Sequence, residues 1–331
     1  MVGMRDETDR RKARRRPGRG RNARRWVGLV FAIAIVAPGV AGAVDFSAWG
    51  QAQKIDEING NSSELNTPFL DGCPILSPNG LRLYQASNRP GGQGGLDIWV
   101  ARRASTDAPF GAPQNLGAPV NSAADDFCPT PVRGGGLYFV SRRAIPGSCG
   151  MGDIYFTRFN RKHGWRQPVH LGCAPNGPNS ALDEQGPSYV EVDGGAQLYF
   201  SRSSAVVPGD IFVSTRVGDG AFGPAVAVAE LNDAAANDIQ PNVRKDGREV
   251  VFSSNRAGGL GAQDIWVSTR ESVSDPWSTP VNVGDGVNSG AAETRPSLSW
   301  DARVLLFGRA PGPEGMSDIY ISTRERLTGK G

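Results

Sequence analysis

The sequence repeats itself every 55 residues or so, and a chain built this way folds as an array of similar units before any other architecture needs weighing. The first marker is Asp-Ile followed by an aromatic residue. It falls at Asp97-Ile98-Trp99, Asp153-Ile154-Tyr155, Asp210-Ile211-Phe212, Asp264-Ile265-Trp266 and Asp318-Ile319-Tyr320, with spacings of 56, 57, 54 and 54. The second is a proline that opens an apolar run, at Pro74, Pro129, Pro187, Pro241 and Pro296, with spacings of 55, 58, 54 and 55. Two independent markers hold one period five times.

Within each unit, short alternating stretches rich in β-branched and aromatic residues are separated by Gly, Asn and Asp, the pattern of short antiparallel strands. Helical periodicity is absent, and 44 Gly and 24 Pro recur too often for long helices. In the fourth unit, strand a is expected after Pro241, strand b at Val250 to Phe252, strand c at Asp264 to Thr269 and strand d at Val281 to Val283. Four strands in each of five units predict an all-β fold, a five-bladed β-propeller of four-stranded antiparallel blades. The chain ends sharpen the prediction. The fifth unit stops after its strand c at Thr323-Arg324, and the missing fourth segment stands at the front, where Trp49 to Ile55 matches the stretches beginning at Phe110, Trp165, Phe222 and Trp277. An N-terminal strand is therefore expected to complete the last blade, closing the ring and removing an exposed sheet edge.

Some of these stretches resemble a known family. Pro74 to Gly80, Ser87-Asn88-Arg89-Pro90-Gly91-Gly92 and Gly95-Leu96-Asp97-Ile98-Trp99 are similar to the WD40-like β-propeller repeat of TolB-type bacterial proteins. The resemblance implies an exported propeller at the cell envelope and is weak for function, because that family includes scaffolds as well as propellers attached to enzymes. Two units depart from the pattern, with Arg202-Ser203-Ser204 and Gly308-Arg309-Ala310 in place of Ser-Asn-Arg.

The formal charge of +3 belongs to the first residues. Met1 to Ala43 holds 11 Lys/Arg against 3 Asp/Glu, leaving 25 against 30 in the remainder. Arg10 to Arg25 reads as a basic n-region, Trp26 to Ala37 as an apolar h-region and Ala41-Gly42-Ala43 as a cleavage site, so a signal peptide is expected over residues 1–43. Its 12-residue apolar run is shorter than the roughly 20 residues that span a bilayer, which disfavours the alternative of an uncleaved anchor. Arg24-Arg25 leaves Sec and twin-arginine export both open. Residues 44–331 are expected to form one propeller domain, exported to the periplasm, the cell envelope or the exterior, with membrane contact only through the leader. The cluster Arg10 to Arg16 precedes an h-region, so no nucleic-acid partner is expected.

A residue type present in all five units holds the units together before it does chemistry, since an active site needs one copy. One acid precedes each anchor proline by three positions: Asp71, Asp126, Glu184, Asp238 and Glu293. One arginine follows each strand b, at Arg89, Arg143, Arg202, Arg256 and Arg309, and another follows each strand c, at Arg103, Arg158, Arg216, Arg270 and Arg324. These sets read first as turn-fixing charge pairs. A sharper reading places the five acids around one mouth of the central channel as a binding ring. Calcium would suit such oxygens, but no EF-hand loop is present, and no cofactor or metal is expected. The aromatics of the Asp-Ile motif read as filling between blades. Trp300 stands where other units have Pro78, Arg133 and Lys245, which makes it the better candidate for an exposed contact.

His163 and His170 are the only histidines, lack a neighbouring nucleophile motif and read as solvated. Four cysteines suit an oxidising compartment. Cys149 precedes strand c and Cys173 follows strand d of one unit, which brings them together, while Cys73 and Cys128 hold one position in adjacent units near the axis; free thiols are the alternative. The longest departures from the repeat are Ala144 to Gly152, Asn160 to Gly164, Cys173 to Leu182 and Ser203 to Gly209. Loops on a rigid scaffold are the usual seat of binding residues. The function expected is a non-catalytic module binding a protein or glycan partner. A glycan hydrolase using the channel carboxylates is the alternative, and a purely structural assembly module is third.

Overall fold

The computed structural model describes residues 46–218 and 220–327. The expected signal peptide lies outside them. Five antiparallel sheets follow in chain order, each running from an innermost strand a to an outer strand d, which is the expected five-bladed β-propeller. Blade 1 is Asp71–Leu76, Arg82–Ser87, Asp97–Arg102 and Gln114–Asn115. Blade 4 repeats it as Asp238–Val243, Glu249–Ser254, Asp264–Thr269 and Val281–Asn282. Blade 5 supplies Ala292–Leu298, Val304–Ala310 and Asp318–Thr323, and its outer strand is Gln53–Lys54, with Gln53 opposite Ile321 and Lys54 opposite Tyr320. The chain thus closes its own ring.

Blades 2 and 3 are taller. Their strands a run Asp126–Val132 and Asp183–Val192, their strands b Gly136–Ser141 and Gly195–Ser203, and their strands c Asp153–Asn160 and Asp210–Val217. Each third strand ends in a short hairpin to Gly164–Trp165 or Ala221–Phe222.

Each anchor proline lies inside strand a, where a strand opening was expected. The pairing of a with b slips around it in every blade. A residue without an amide proton fits such a bulge because the ladder asks nothing of it there. The residue before the proline is Cys73, Cys128, Gly186, Gln240 or Arg295, all at φ between 47° and 58°. These five bulges converge on the axis around a cavity of only about 30 Å³, and Cys73 is bonded to Cys128 across it. The channel is closed at this level.

Apolar clusters lie between neighbouring blades. One joins Ile75, Tyr84 and Ile98 of blade 1 to Leu137, Phe139 and Tyr155 of blade 2. The same logic recurs with Val190 and Tyr199 against Phe252 and Trp266, and with Val251 and Ile265 against Leu305 and Phe307. Trp99, Tyr155, Trp266 and Tyr320 are buried in these seams and Phe212 is half-buried, so the recurring rings are filling.

The five acids are fully buried, each paired with the arginine after strand b: Asp71 with Arg89, Asp126 with Arg143, Glu184 with Arg202, Asp238 with Arg256 and Glu293 with Arg309. Four also accept the amide and hydroxyl of Thr67, Ser122, Ser180 or Ser289 four residues back, and Asp238 accepts the amide of Asp233. Every one of these guanidinium groups lies over the Asp-Ile aromatic of its blade, 4.2 to 5.4 Å from the ring centre. Breaking one such pair leaves a buried charge without a partner, which costs about 3–5 kcal/mol. We expect Arg143→Met to lower unfolding free energy by roughly that amount in urea, with partial recovery in Asp126→Asn/Arg143→Met; a loss below about 1 kcal/mol would show that the pair does not hold the blade.

Candidate active site

The innermost strands carry the chain from the acid-lined face to the opposite face, where the a–b turns lie. Counting four residues on from each anchor proline marks one position in every blade: Pro78, Arg133, Glu191, Lys245 and Trp300. All five residue types differ, and four of the five line a single cavity of about 830 Å³.

The cavity lies along the seam between blades 2 and 3. Its inner wall is aromatic, with Tyr138 stacked on Tyr189 at 5.2 Å and Phe156 against Tyr138 at 4.7 Å. The Tyr189 hydroxyl donates to Glu191 Oε1 at 2.6 Å. Glu191 sits two residues beyond Tyr189 in the extended strand of blade 3, and the period of two puts both side chains on one face. Burial raises the Tyr189 hydroxyl well above its ordinary pKa, and the bond to Glu191 adds to the shift. Burial also pushes Tyr138 up to about 12, against the opposing pull of Arg216 and Arg158.

Trp300 crosses from blade 5, with Arg133 and Lys245 over its ring at 4.6 and 5.4 Å. It also lines a second cavity of about 570 Å³ between blades 5 and 1. The Lys245 ammonium donates to the Tyr189 carbonyl at 2.8 Å and has no carboxylate partner among the described residues. Burial lowers its pKa to about 8.

The arginines after strand c divide into two groups. Arg103, Arg270 and Arg324 donate through Nε to the a–b turn carbonyls of Gly80, Gly247 and Ala302, and lie over Phe110, Trp277 and Trp49. Arg216, at the same position of blade 3, does neither, while Arg158 stands one residue earlier in register, opposite Gly136 as Arg102 stands opposite Arg82, and lies over Phe156 at 5.9 Å. Their strands run on into hairpins, both side chains are exposed, and both line the cavity without a hydrogen bond or ion pair among the described residues.

The expected channel-mouth residues Asp71, Asp126, Glu184, Asp238 and Glu293 are not part of this cavity, and each carboxylate is occupied by its arginine. Trp300 is part of it. His170 is not solvated as expected: its Nδ1 accepts from the Gly172 amide and its Nε2 faces Asp153 at 3.1 Å. It stands where Asn115 and Asn282 hold the equivalent aspartates Asp97 and Asp264. His163 lies exposed in a turn. Cys149 and Cys173 are bonded to each other beside His170, so this group of potential ligands has no free sulfur for a metal. Sequence reasoning missed Tyr189, Glu191 and the different use of Arg158 and Arg216. The signal was present at Glu191, whose position varies from Pro to Arg to Glu to Lys to Trp across the five units.

No protein-family model and no curated protein matches the sequence. Solved structures do match the fold. A thermostable family-43 glycoside hydrolase aligns with TM-score 0.52 and 14% identity, covering 78% of this chain and 90% of its own. The GH43 endo-arabinanase from Bacillus licheniformis gives 0.50 and 14% over 80% and 96%, and the xylan β-1,4-xylosidase from Bacillus halodurans C-125 gives 0.53 and 12% over 82% and 55%. At such identities the likeness is one of fold.

The expected kinship with TolB-type repeat proteins is corrected by these findings, because the propellers found are glycoside hydrolases. The expectation of a non-catalytic binding module for a protein or glycan partner is corrected with it, since the similar propellers are named as glycoside hydrolases. Two disulfides fit an oxidising compartment, and no helix among the described residues is long and apolar enough to cross a membrane.

Lys245 ties this site to stability. Its proton leaves near pH 8 in the folded chain and near 10.5 in the unfolded one, so between those values the unfolded state binds more protons and folding gains as pH rises. The penalty is full below pH 8. The melting temperature of Lys245→Met relative to wild type is therefore expected to be highest near pH 7 and to decline toward pH 10.5; a difference independent of pH would place the ammonium in water.

Proposed function

We propose that this protein is an exported glycan hydrolase whose active site is the groove between blades 2 and 3. The observation that carries the reading is the hydrogen-bonded Tyr189–Glu191 pair, which opens on a large aromatic-walled cavity. A nucleophile and a base within hydrogen-bond reach are the minimum for covalent catalysis. The structural likeness to a family-43 glycoside hydrolase and an endo-arabinanase supports a glycan as substrate. Export is supported by the disulfides and by the leader-like sequence of residues 1–43.

Most glycosidases flank the scissile bond with two carboxylates, and a tyrosine nucleophile is the recognised exception. Glu191 is the one carboxylate among the described residues that line this groove. In the proposed reaction Tyr189 Oη attacks the anomeric carbon as its proton passes to Glu191. The glycosidic C–O bond breaks, and the leaving oxygen takes a proton from the Lys245 ammonium, whose pKa of about 8 suits an acid working near neutrality. In the second half, neutral Lys245 takes a proton from water, the hydroxide attacks the anomeric carbon, and the Tyr189 oxygen departs and recovers its proton from Glu191. The two displacements retain configuration.

Tyr189→Phe and Glu191→Gln are each expected to lower turnover about 100-fold or more, read as oligosaccharide products by mass spectrometry. Asp126→Asn is expected to reduce stability while leaving turnover per folded molecule within about twofold, since its carboxylate is buried beside Arg143. Unchanged turnover in Tyr189→Phe would sink the assignment, and so would the absence of product from a broad panel of arabinans, xylans and acidic polysaccharides.

A further inference from the structure

We infer that the groove between blades 2 and 3 selects anionic glycans, chains carrying carboxylate or sulfate groups, and that Arg133, Arg158 and Arg216 read those groups. The inference deepens the reading of this groove as a glycan site and rests on it. Among the described residues, three guanidinium groups and the Lys245 ammonium line the cavity against one carboxylate, that of Glu191. None of the four cations has a carboxylate partner among the described residues, although residues 44–331 are net acidic. A local positive field on a negatively charged molecule is a steering feature for anions.

The repeat itself shows that this exposure is not the ordinary state of an arginine at the position of Arg216. In blades 1, 4 and 5 the residue after strand c is folded onto a turn carbonyl and an aromatic ring, where it holds the blade together. Arg216, the equivalent residue of blade 3, is released from both partners into the cavity, and Arg158 of blade 2, one residue earlier in register and over Phe156, enters the same cavity. The longer third strands of blades 2 and 3 also raise the groove walls. Both arginines act on Tyr138, which places their charge around the aromatic floor. Arg133 joins them from the rim, over Trp300.

A guanidinium presents paired N–H donors that match the two oxygens of a carboxylate or sulfate. Tyr138, Tyr189 and Trp300 supply apolar faces beside those donors, which suits a sugar ring bearing an acidic group. A neutral glycan in the same place would strip water from the arginines without replacing it, and a site with polar groups left unpaired rejects the wrong ligand strongly. Selection against neutral chains follows from the same residues.

The test is calorimetric titration of the wild-type protein with matched pairs: oligogalacturonate and its methyl ester, sialyllactose and lactose, and a chondroitin sulfate oligosaccharide and its desulfated, carboxyl-reduced form. At least one acidic member is expected to bind about tenfold or more tightly than its neutral twin, with an affinity that falls as salt is added. Arg158→Met/Arg216→Met should bring that ratio close to one, with the melting temperature confirming a folded protein. Trp300→Ala, which keeps the arginines, should weaken both members and preserve the ratio. Equal affinity within every pair, no binding of any acidic oligosaccharide, or displacement by a single-stranded oligonucleotide at the same concentration as the acidic glycan would each overturn the inference. Mass spectrometry of the bound sugars separates the two claims: an acidic glycan bound selectively and left intact sustains the charge selection and removes the hydrolase reading.

Discussion

The buried pairing of one acid with one arginine, repeated in each blade, is the constraint on which the rest of the propeller depends. Each carboxylate gathers the arginine after strand b and the amide of the approaching loop, and each guanidinium covers the ring that opens strand c. Three strands and a loop are thereby pinned at one point. A charge taken out of water must be matched closely, and five such matches leave the blades little choice of register. The bulge at each anchor proline then turns one residue of every blade toward the axis, where Cys73 and Cys128 close the centre.

Closure has its own device. Gln53 and Lys54 add the outer strand to blade 5, so the first and last parts of the domain share one ladder. Lys54 takes the place of the Asn or His that steadies the Asp-Ile aspartate in blades 1, 2 and 4, and its ammonium pairs with Glu314 and Asp56. The seam is thus held by charge as well as by backbone hydrogen bonds.

Repetition supplies the scaffold, and its failure supplies the site. Where the arginine after strand c folds back, as at Arg103, Arg270 and Arg324, its guanidinium is held against a turn carbonyl and an aromatic ring, even where Arg103 and Arg324 border the second cavity. Where the strands run longer, as in blades 2 and 3, the same residue type is left facing a cavity. A propeller can build a pocket in this way without altering its core, because the core residues sit nearer the middle of the strands. The proposed chemistry rests on one further difference at the turn position, where Glu191 accepts from the Tyr189 hydroxyl.

The strand period, the five units, the closure by Trp49 to Ile55 and both cysteine pairings were legible in the sequence because they depend on local spacing or on equivalence between repeats. The charge sets were legible as sets, and Asp126 with Arg143 is typical: the repeat told that they belong together, and the fold told that they bury each other rather than face a channel. His170 shows the limit. Its role is defined by Asp153 and Gly172, contacts made after strand d has docked. The groove lies further beyond reach, since Tyr138, Arg158, Tyr189, Glu191, Lys245 and Trp300 come from four blades and share no motif. The sequence by itself determined the ring and the parts that each blade must repeat, because those obey a period. Only the tertiary structure decided the site, because residues far apart in the chain meet there through the radial arrangement of the blades.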